Sequence, residues 1–235
     1  MNPYAVSTWY PDIGSYSFPT VFLRLSRQHV EAIFNQDPEQ PAAKDLIARC
    51  DYIIDHLPGS CFLHADTVAP DDAPAFKASE GAVHYGITAF TYLATSRKVH
   101  TALRQGETCR IGLRPYRRMD HSREFRLFIH NRRLFAMSQR FLKKHHPRLQ
   151  RRAAEIWEQA QNFVNDIAPL LPLETLCVDV YLTSTVHFMI LDLNPWGPPT
   201  DALLLRHWEH DLDNPLGLLL VKKPNRISGD ITVSF

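Results

Sequence analysis

The 235-residue sequence predicts an α+β fold, and three observations support this. Residues 21 to 25 alternate apolar and polar side chains, which is typical of a half-buried strand. Residues 42 to 57 and 148 to 171 carry apolar side chains at helical spacing. Two further pairs of β-rich stretches lie between residues 123 and 193. Strands and helices in this order, without a sequence repeat, indicate a mixed α/β or α+β protein.

The first half of the chain contains clear helical patterns after the strand at residues 21 to 25. The stretch RQHVEAIF predicts a helix with Val30, Ile33 and Phe34 on its apolar side. The next predicted helix spans AAKDLIARCDYIIDHL and ends at Pro58-Gly59. Residues 64 to 76 contain three acidic residues and two prolines, which predicts a surface loop. Periodicity leaves the region from residue 82 to about 93 open between helix and strand.

The second half of the chain is richer in predicted strands. Residues 109 to 116 predict a strand that leads into a connector, and residues 123 to 141 predict a hairpin around His130-Asn131. The clearest helix of the chain, over residues 148 to 171, comes next. Two strands, LCVDVYL and HFMILDL, are then joined by a turn at Thr183 to Thr185. A last apolar run, Leu216 to Val221, is predicted to complete a sheet.

Composition excludes some classes of partner. Lys and Arg total 26 and Asp and Glu total 25, so net charge gives no reason to expect nucleic acid or a membrane as partner. The basic residues from Arg148 to Arg152 are interpreted as a solvated helix face or a partner surface. Four dispersed cysteines without a C-x-x-C motif indicate a reducing compartment. The N-terminal segment has no leader-like pattern and no run of about eighteen apolar residues occurs, so we expect a cytoplasmic protein.

Three oxygen-bearing side chains occur in the last pair of strands. Asp192 and Asn194 share one face of their strand, because side chains alternate across a strand. In a hairpin that turns at Ser184, Asp179 is not directly opposite Asp192 but lies on the same face. Such oxygen ligands suit Mg²⁺, which takes one or two carboxylates and adds water and phosphate oxygens. The alternative is a surface Asp179 beside an Asn194-Pro195 turn with a side-chain hydrogen bond.

A phosphate-bearing ligand would need cations close to these carboxylates. Arg126 and Arg140 in the predicted hairpin are candidates, because a guanidinium matches the geometry of phosphate. The alternative is that both arginines are solvated charges. His64 and the pair His145-His146 lack the spacing of metal ligands. With nine glycines and no Walker or G-x-S-x-G motif, a nucleotide site would have to be built from strands and side chains.

Several stretches together resemble the cell-division-cycle-123 family. They are STWYPDI, APDDA, REFRLFIHNRRLFAMSQR, VDVYL and ILDLNPWGPPTDALLLRHWE, in the family's order and approximate spacing, from about Trp9 to Glu209. The E-F-R, S-Q-R and D-x-N-P blocks are specific in combination, whereas any one alone is a weak signal. Eukaryotic members of this family help to assemble translation initiation factor 2.

The resemblance implies an ATP-grasp-like fold, in which two lobes with antiparallel sheets enclose a nucleotide cleft. We expect an N-terminal lobe over residues 1–112 and an ATP-grasp lobe over residues 113–235. The implied cofactors are ATP and Mg²⁺, with the metal held by Asp179, Asp192 and Asn194.

The resemblance also implies the nucleotide contacts. Arg126 would face phosphate, and the backbone from Leu113 to Tyr116 would form the connector that reads adenine. Arg114 and Arg140 complete the predicted cofactor-binding residues, and no catalytic residue is predicted.

The chain departs from the family at two positions. Phe62 stands where a lysine of a P-K-L block is expected, and Asp71 replaces a basic residue of the following loop. We therefore expect one phosphate contact to be missing, with Lys77, Arg110 and Arg114 as candidate replacements. We also expect the acidic C-terminal extension of many eukaryotic relatives to be absent. In a short or bacterial member, binding to the gamma subunit of translation initiation factor 2 does not follow from the resemblance, and a bacterium has no such factor.

Three functions are compatible with these features. The first is a magnesium-ATP-dependent assembly factor that binds a protein partner, which in eukaryotes would be translation initiation factor 2. The second is an ATP-dependent ligase or phosphotransferase, which would work by positioning its substrates and neutralising charge. No nucleophile or acid-base pair in the sequence identifies its acceptor. The third is a degenerate scaffold without nucleotide binding, which the missing lysine favours.

Overall fold

The structure, a computed structural model, describes residues 2–185, 187–226 and 232–233. It divides into two compact units, Met1–Arg118 and Met119–Phe235. The predicted α+β class is confirmed, because the units contain helices together with two largely antiparallel sheets. No helix within the described ranges has the length and apolar character needed to cross a membrane.

The first unit consists of helices packed on a four-stranded sheet. Its helices are α1 (Val6–Ile13), α2 (Arg27–Asn35), α3 (Pro41–Asp55), α4 (Pro74–Ala78), α5 (Gly86–Thr95) and α6 (Arg97–Arg104). Its strands are β1 (Val21–Arg24), β2 (Cys61–Ala65), β3 (Ala82–Val83) and β4 (Arg110–Pro115).

These elements confirm the predictions for α2, α3, β1 and β4 and resolve the ambiguous stretch. The region from residue 82 to 93 contains the short strand β3 and then α5, which continues to Thr95. The predicted surface loop is shorter than expected. Its first two residues, His64 and Ala65, end β2, and Pro74 begins α4. Proline is favoured at the first position of a helix because no intrahelical partner is lost there.

The strand order in this sheet is β1-β4-β2-β3, and all the pairs are antiparallel. Leu113 at the centre of β4 pairs with Val21 on one side and Leu63 on the other. Ile111 and Leu113 are fully buried in a core shared with residues of α2, α3 and α5. A lobe boundary after residue 112 would divide this central strand, whereas the compact unit continues to Arg118.

Gly112 allows a close approach on the other face of β4. It pairs with His64, and a Cβ atom at position 112 would lie 2.4 Å from His64 Nε2. The Nδ1 atom of His64 donates a hydrogen bond to the carbonyl of Ala65 over 3.0 Å. Burial, together with the charge of Arg114, lowers the pKa of His64 to about 3. His64 is therefore a neutral, buried residue near pH 7.

Asp72 holds the beginning of α6. Its carboxylate accepts hydrogen bonds from the Ser96 hydroxyl (2.5 Å) and from the backbone N–H groups of Arg97 (2.9 Å) and Lys98 (3.2 Å). Burial alone would raise the pKa of Asp72, but these hydrogen bonds outweigh it and the pKa is lowered from its usual value of 3.8. A carboxylate at this position satisfies N–H groups that have no partner within the helix.

The second unit is built on a five-stranded sheet. Its strands are β5 (Glu124–His130), β6 (Arg133–Gln139), β7 (Leu176–Leu182), β8 (Phe188–Asn194) and β9 (Gly217–Leu219), and a separate pair is formed by β10 (Asn225–Arg226) and β11 (Thr232–Val233). Its helices are α7 (Pro147–Arg151) and α8 (Ala153–Ile167). The single helix predicted over residues 148 to 171 is thus two helices that meet at Arg152.

The strand order in the larger sheet is β8-β7-β5-β6-β9, and only the β6-β9 pair is parallel. This confirms that the run after Leu216 completes a sheet. The predicted hairpin is also confirmed. Asn131 and Arg132 connect β5 to β6, and both have positive φ angles, of 47° and 61°. Positive φ at both central residues matches a type I′ turn, whose twist suits a two-residue hairpin.

We predict that Asp72→Ala destabilises the protein by about 1 kcal/mol at neutral pH, as expected for the loss of a helix cap. The folded-state pKa of Asp72 is lowered, so its contribution is present above pH 3.8 and is lost as the pH falls through the folded-state pKa. Urea denaturation of wild type and variant across this pH range measures the effect.

Asp71→Ala is the matched control for Asp72→Ala. Asp71 forms an exposed ion pair with Lys98 (2.7 Å), so its removal should cost less than about 0.5 kcal/mol. Equal losses in the two variants, or a difference that does not diminish as the pH falls below 3.8, would contradict the proposed role of Asp72.

Candidate functional site

A row of four polar side chains crosses the sheet of the second unit. Ser138, Arg126, Asp179 and Asp192 are successive cross-strand partners on β6, β5, β7 and β8. Cross-strand partners project to the same face of a sheet, so the four side chains lie on one face. Ser138, Arg126 and Asp179 are buried, whereas Asp192 is half-buried. The row therefore has its accessible end at Asp192.

Asp179 lies directly opposite Asp192, which corrects the register expected from the sequence. That expectation placed the hairpin turn at Ser184. In the structure Leu182 pairs with Phe188, so the turn is centred one residue later. This difference alone does not bring the two aspartates opposite each other.

A β-bulge accounts for the remaining shift. Val180 pairs with Ile190, but the preceding residue Asp179 pairs with Asp192, so Leu191 is the extra residue. Leu191 and Asp192 are both half-buried, unlike the fully buried Ile190. The bulge thus places Asp192 beside Asp179, and no feature of the apolar pattern predicts it.

Arg126 and Asp179 form a buried, bidentate ion pair. The Nε atom of Arg126 donates to Asp179 Oδ1 and its Nη2 atom donates to Oδ2, both over 2.8 Å. The third nitrogen, Nη1, donates to the backbone carbonyl of Asp201 over 2.7 Å. Only 6% of Arg126 and 3% of Asp179 are exposed. Burial by itself would lower the pKa of Arg126, but the hydrogen bonds and charge of Asp179 raise it, so the Arg126 guanidinium stays charged.

Two further side chains converge on the Asp179 carboxylate. Asn194 Nδ2 donates to Asp179 Oδ2 over 3.2 Å, and Arg140 Nη1 lies 3.5 Å from the same oxygen. Arg140 also lies 3.6 Å from Glu124 Oε2, and 37% of its side chain is exposed. Arg140 is therefore the cation of this cluster that is most accessible to a ligand, while Arg126 is enclosed.

The three predicted metal ligands differ in their hydrogen-bond partners and in their burial. Both oxygens of Asp179 are already engaged by Arg126, and Oδ2 also receives the amide N–H of Asn194. Because Asn194 uses its nitrogen in this bond, its amide oxygen is left to face elsewhere. Asp192 is half-buried and accepts a hydrogen bond from the backbone N–H of Leu193 over 2.9 Å.

These side chains fit a Mg²⁺ site in which the protein supplies only a few of the oxygen ligands. Within the described ranges, no three His, Cys, Asp or Glu side chains are arranged to hold a metal ion. The half-buried carboxylate of Asp192 and the amide oxygen of Asn194 are oxygen donors of the kind that Mg²⁺ accepts. Mg²⁺ commonly takes only one or two protein carboxylates and completes its shell with water and phosphate oxygens. The predicted role of Asp179 as a direct ligand is less compatible with its contacts.

The S-Q-R block is explained by three different anchoring contacts. The Ser138 hydroxyl accepts from the backbone N–H of Leu204 over 3.2 Å. Gln139 Nε2 donates to the carbonyls of Phe141 (2.5 Å) and Lys144 (3.1 Å). Arg140 reaches the Asp179 cluster. The block therefore ties the end of β6 to two loops and to the candidate site.

An aromatic cluster that was not predicted from the sequence covers the same face of the sheet. Phe128 and Cys177 are the residues two positions from Arg126 and Asp179 along their strands, and Trp196 and Trp208 pack against them. The rings of Trp196 and Trp208 lie 5.5 Å apart and at 5.7 to 6.2 Å from Phe128. Two of the four tryptophans, Trp196 and Trp208, lie within one stretch of thirteen residues after β8, and this spacing could have indicated the cluster.

The other predicted nucleotide contacts belong to the first unit. Leu113 is fully buried in the centre of β4, so it is part of the sheet and does not begin a connector. Beyond the strand, Tyr116 donates its backbone N–H to the carbonyl of Ser60 over 2.7 Å. Their predicted contact with adenine stays a prediction.

Arg114 faces the position where the family lysine is missing. Phe62 and Arg114 are cross-strand partners, and the Arg114 guanidinium carbon lies 4.8 Å from the centre of the Phe62 ring. The same guanidinium lies 5.2 Å from the ring of Phe18. The second departure, Asp71, forms its ion pair with Lys98. Arg114 is thus the candidate replacement that lies beside Phe62.

We predict that Asp179→Ala lowers the stability of the protein strongly, by about 3–5 kcal/mol, because it leaves the buried Arg126 without its counter-charge. Asp192→Ala is the matched control, since it removes a half-buried carboxylate and should cost about 1 kcal/mol or less. Thermal unfolding without ligand compares the two variants.

A second variant separates loss of charge balance from loss of packing. Replacing both Arg126 and Asp179 by apolar residues of similar volume should recover much of the stability lost in Asp179→Ala. A single Asp179→Ala variant that melts with the wild type would contradict the structural role assigned to this pair.

Comparison with known proteins places the chain in a family. A sequence model of the D123 family matches residues 26–223. The chain is 34% identical over 87 residues to the translation initiation factor eIF2 assembly protein of Danio rerio, a match that covers 37% of this chain and only 25% of the fish protein. It is 23% identical over 244 residues to the putative CDC123-like protein L884 of Acanthamoeba polyphaga mimivirus, covering 94% of this chain and 75% of that protein.

Solved structures support the same relationship at the level of fold. Cdc123 from Schizosaccharomyces pombe superposes with a TM-score of 0.79 at 20% identity, covering 94% of this chain and 96% of the yeast chain. A C-terminally truncated form of the yeast protein gives a TM-score of 0.77 at 19% identity, covering 92% and 94% of the two chains. The family match spans most of the sequence and agrees with the fold, so the chain belongs to the D123 family of cell-division-cycle-123 proteins.

Proposed function

We propose that the chain is a cytoplasmic, magnesium-ATP-binding ATP-grasp protein that acts as an assembly factor for translation initiation factor 2. The cluster around the Arg126-Asp179 ion pair is the observation that supports nucleotide binding. It presents an accessible cation, Arg140, beside two oxygen donors, Asp192 and Asn194, on one face of a sheet. An accessible cation next to carboxylate and amide oxygens suits a metal-bound polyphosphate.

Each residue of the cluster has a separate role in this proposal. Asp192 and Asn194 hold Mg²⁺, which neutralises and orients the phosphates when it is bound. Arg140 contacts phosphate, for which its partly exposed guanidinium is suited. Arg126 and Asp179 act as positioning residues, because Asp179 orients Asn194 and Arg140 while Arg126 compensates its charge. Leu113, Arg114 and Tyr116 of the first unit stay proposed as nucleotide contacts on the family resemblance.

The assembly role is proposed from the relatives. The fish protein that matches is named as an assembly protein of translation initiation factor 2, but the match covers a quarter of its length. We therefore propose initiation factor 2, through its gamma subunit, as the protein partner. Turnover of ATP on an acceptor, as in a ligase or phosphotransferase, is the alternative that the same site allows. Titration with MgATP, together with measurement of ADP release, distinguishes the assembly factor from the ligase or phosphotransferase.

We predict that isothermal titration detects binding of ATP in the presence of Mg²⁺ and that Asp192→Ala weakens it at least tenfold, which corresponds to about 1.4 kcal/mol. The reason is the loss of the only carboxylate assigned to the metal. Asp213→Ala, an exposed acidic residue outside the cluster, should bind like the wild type. ADP should not accumulate beyond background.

Two results would contradict the nucleotide proposal. One is unchanged affinity in Asp192→Ala, and the other is equal affinity with and without Mg²⁺. Release of ADP that depends on an added carboxylate and amine would instead support the ligase.

We predict that the immobilised chain retains the purified gamma subunit of translation initiation factor 2, and that MgATP increases the amount retained. Asp192→Ala should lose only the increase due to MgATP, because the variant keeps its fold. Pull-down with quantified elution measures both effects. Failure to retain the subunit with MgATP present would rule out the partner without affecting the nucleotide site.

A further inference from the structure

A group of exposed cations lies in the loop after β6 and in the short helix that follows it. It consists of Lys143 and Lys144 in the loop after β6 and of Arg148 and Arg151 in α7, and is called here the basic surface. All four residues are exposed, and among the described residues none of them forms an ion pair. The sequence from residue 140 to 154 contains no acidic residue. The first one after it, Glu155, is already paired with Arg152 over 2.8 Å.

The like charges lie close together along the chain. Arg148 and Arg151 lie three residues apart in α7, on neighbouring positions of one helix face. Lys143 and Lys144 are adjacent in the chain. Like charges at such spacing repel each other, which disfavours this arrangement in the absence of a bound anion. A surface of this kind gains free energy when a partner supplies the missing negative charges.

Hydrogen bonds from Gln139 and His145 hold the loop that carries the two lysines. Gln139 is fully buried and donates from Nε2 to the carbonyls of Phe141 and Lys144. His145 donates from Nδ1 to the carbonyl of Val221 over 2.8 Å. Binding to a surface held in this way requires little ordering of the backbone, which lowers the entropic cost of association. The basic surface is thus preorganised for an anionic partner.

The surroundings favour a protein segment over nucleic acid or a membrane. Leu142, which is 38% exposed, places an apolar side chain next to the lysines. The neighbouring aromatic residue, Phe141, is stacked on His121 at 5.6 Å between ring centroids, so that this face of its ring is not available to stack on a base. The net charge of the whole chain, +1, gives no wider positive field. α7 has only five residues, which is too short for an amphipathic membrane helix.

We propose that the basic surface is a docking site for an acidic protein segment that carries an apolar side chain among its carboxylates. The carboxylates would pair with Lys143, Lys144, Arg148 and Arg151, and the apolar side chain would cover Leu142. The basic surface shares no residue with the Asp179 cluster, and the proposed contacts do not involve ATP. The proposal therefore holds or fails independently of the nucleotide-binding function.

Fluorescence anisotropy with a labelled peptide of repeated Glu-Glu-Leu units tests the proposal. The full chain should bind this peptide at low salt, and binding should weaken as salt is added because the cations are exposed. A peptide with Gln in place of every Glu should bind at least tenfold more weakly. The variant with Lys143, Lys144, Arg148 and Arg151 replaced by Ala should also lose at least tenfold in affinity.

A matched control removes four exposed cations from the first unit. These are Arg24, Arg27, Arg97 and Arg117. The control variant should keep the wild-type affinity within about twofold, because none of these four cations belongs to the basic surface. Leu142→Ser should weaken the Glu-Glu-Leu peptide but not a peptide of Glu and Ser.

Melting curves of all variants verify that they are folded. If the quadruple variant does not fold, Lys143→Gln combined with Lys144→Gln replaces it, with a loss of at least threefold expected.

Several outcomes would overturn the proposal. These are absence of peptide binding to the wild type, an equal loss in the control variant, and equal binding of the Gln peptide. Tighter binding of a single-stranded RNA of equal charge, or of phosphatidylserine vesicles, would assign the surface to a different class of partner and would also overturn it.

Discussion

The buried ion pair between Arg126 and Asp179 is the interaction on which the candidate site depends. It joins the adjacent strands β5 and β7 and, through the carbonyl of Asp201, fixes the segment that follows β8. Neither charge could remain in this environment alone, because desolvation of an isolated ion costs several kcal/mol. A buried pair of this kind adds little net stability compared with apolar residues. Its value here is that it fixes the position of groups that reach the surface.

The consequence is a division of roles between two aspartates that look alike in the sequence. Asp179 is enclosed and its oxygens are occupied by donors, so it orients Asn194 and Arg140. Asp192 is half-buried and lies at the accessible end of the polar row. The bulge at Leu191 makes this possible, because it brings Asp192 opposite Asp179 while Ile190 stays in the core. In the proposed function, only one carboxylate of this cluster contacts a metal ion directly.

Much of the fold could be predicted from the sequence, because apolar periodicity reflects which face of an element is buried. This holds for α2, α3 and α8 and for the β5-β6 hairpin, all of which have regular patterns. β2 was not predicted, because its sequence CFLHA contains His64 and is short. It becomes a strand through pairing with β4, which lies about fifty residues later in the chain. The short strand β3 depends in the same way on its pairing with β2.

The residues of the candidate site could be predicted from the sequence, but their arrangement could not. The strand pattern and the resemblance to the cell-division-cycle-123 family both pointed to Asp179, Asp192, Asn194 and Arg126. Their roles depend on register and on pairing between strands, which a local pattern does not encode. Both the bulge at Leu191 and the contact of Arg114 with Phe62 result from pairing between strands.

The most direct test of this account is a crystal structure of the protein with ATP and Mn²⁺, located by its anomalous scattering. Mn²⁺ is used because it accepts the same oxygen ligands as Mg²⁺. The account predicts a metal ion bound to oxygens of Asp192 and Asn194, with the Arg126-Asp179 pair intact. A metal ion coordinated by Asp179 with that pair broken, or one located away from β8, would contradict it.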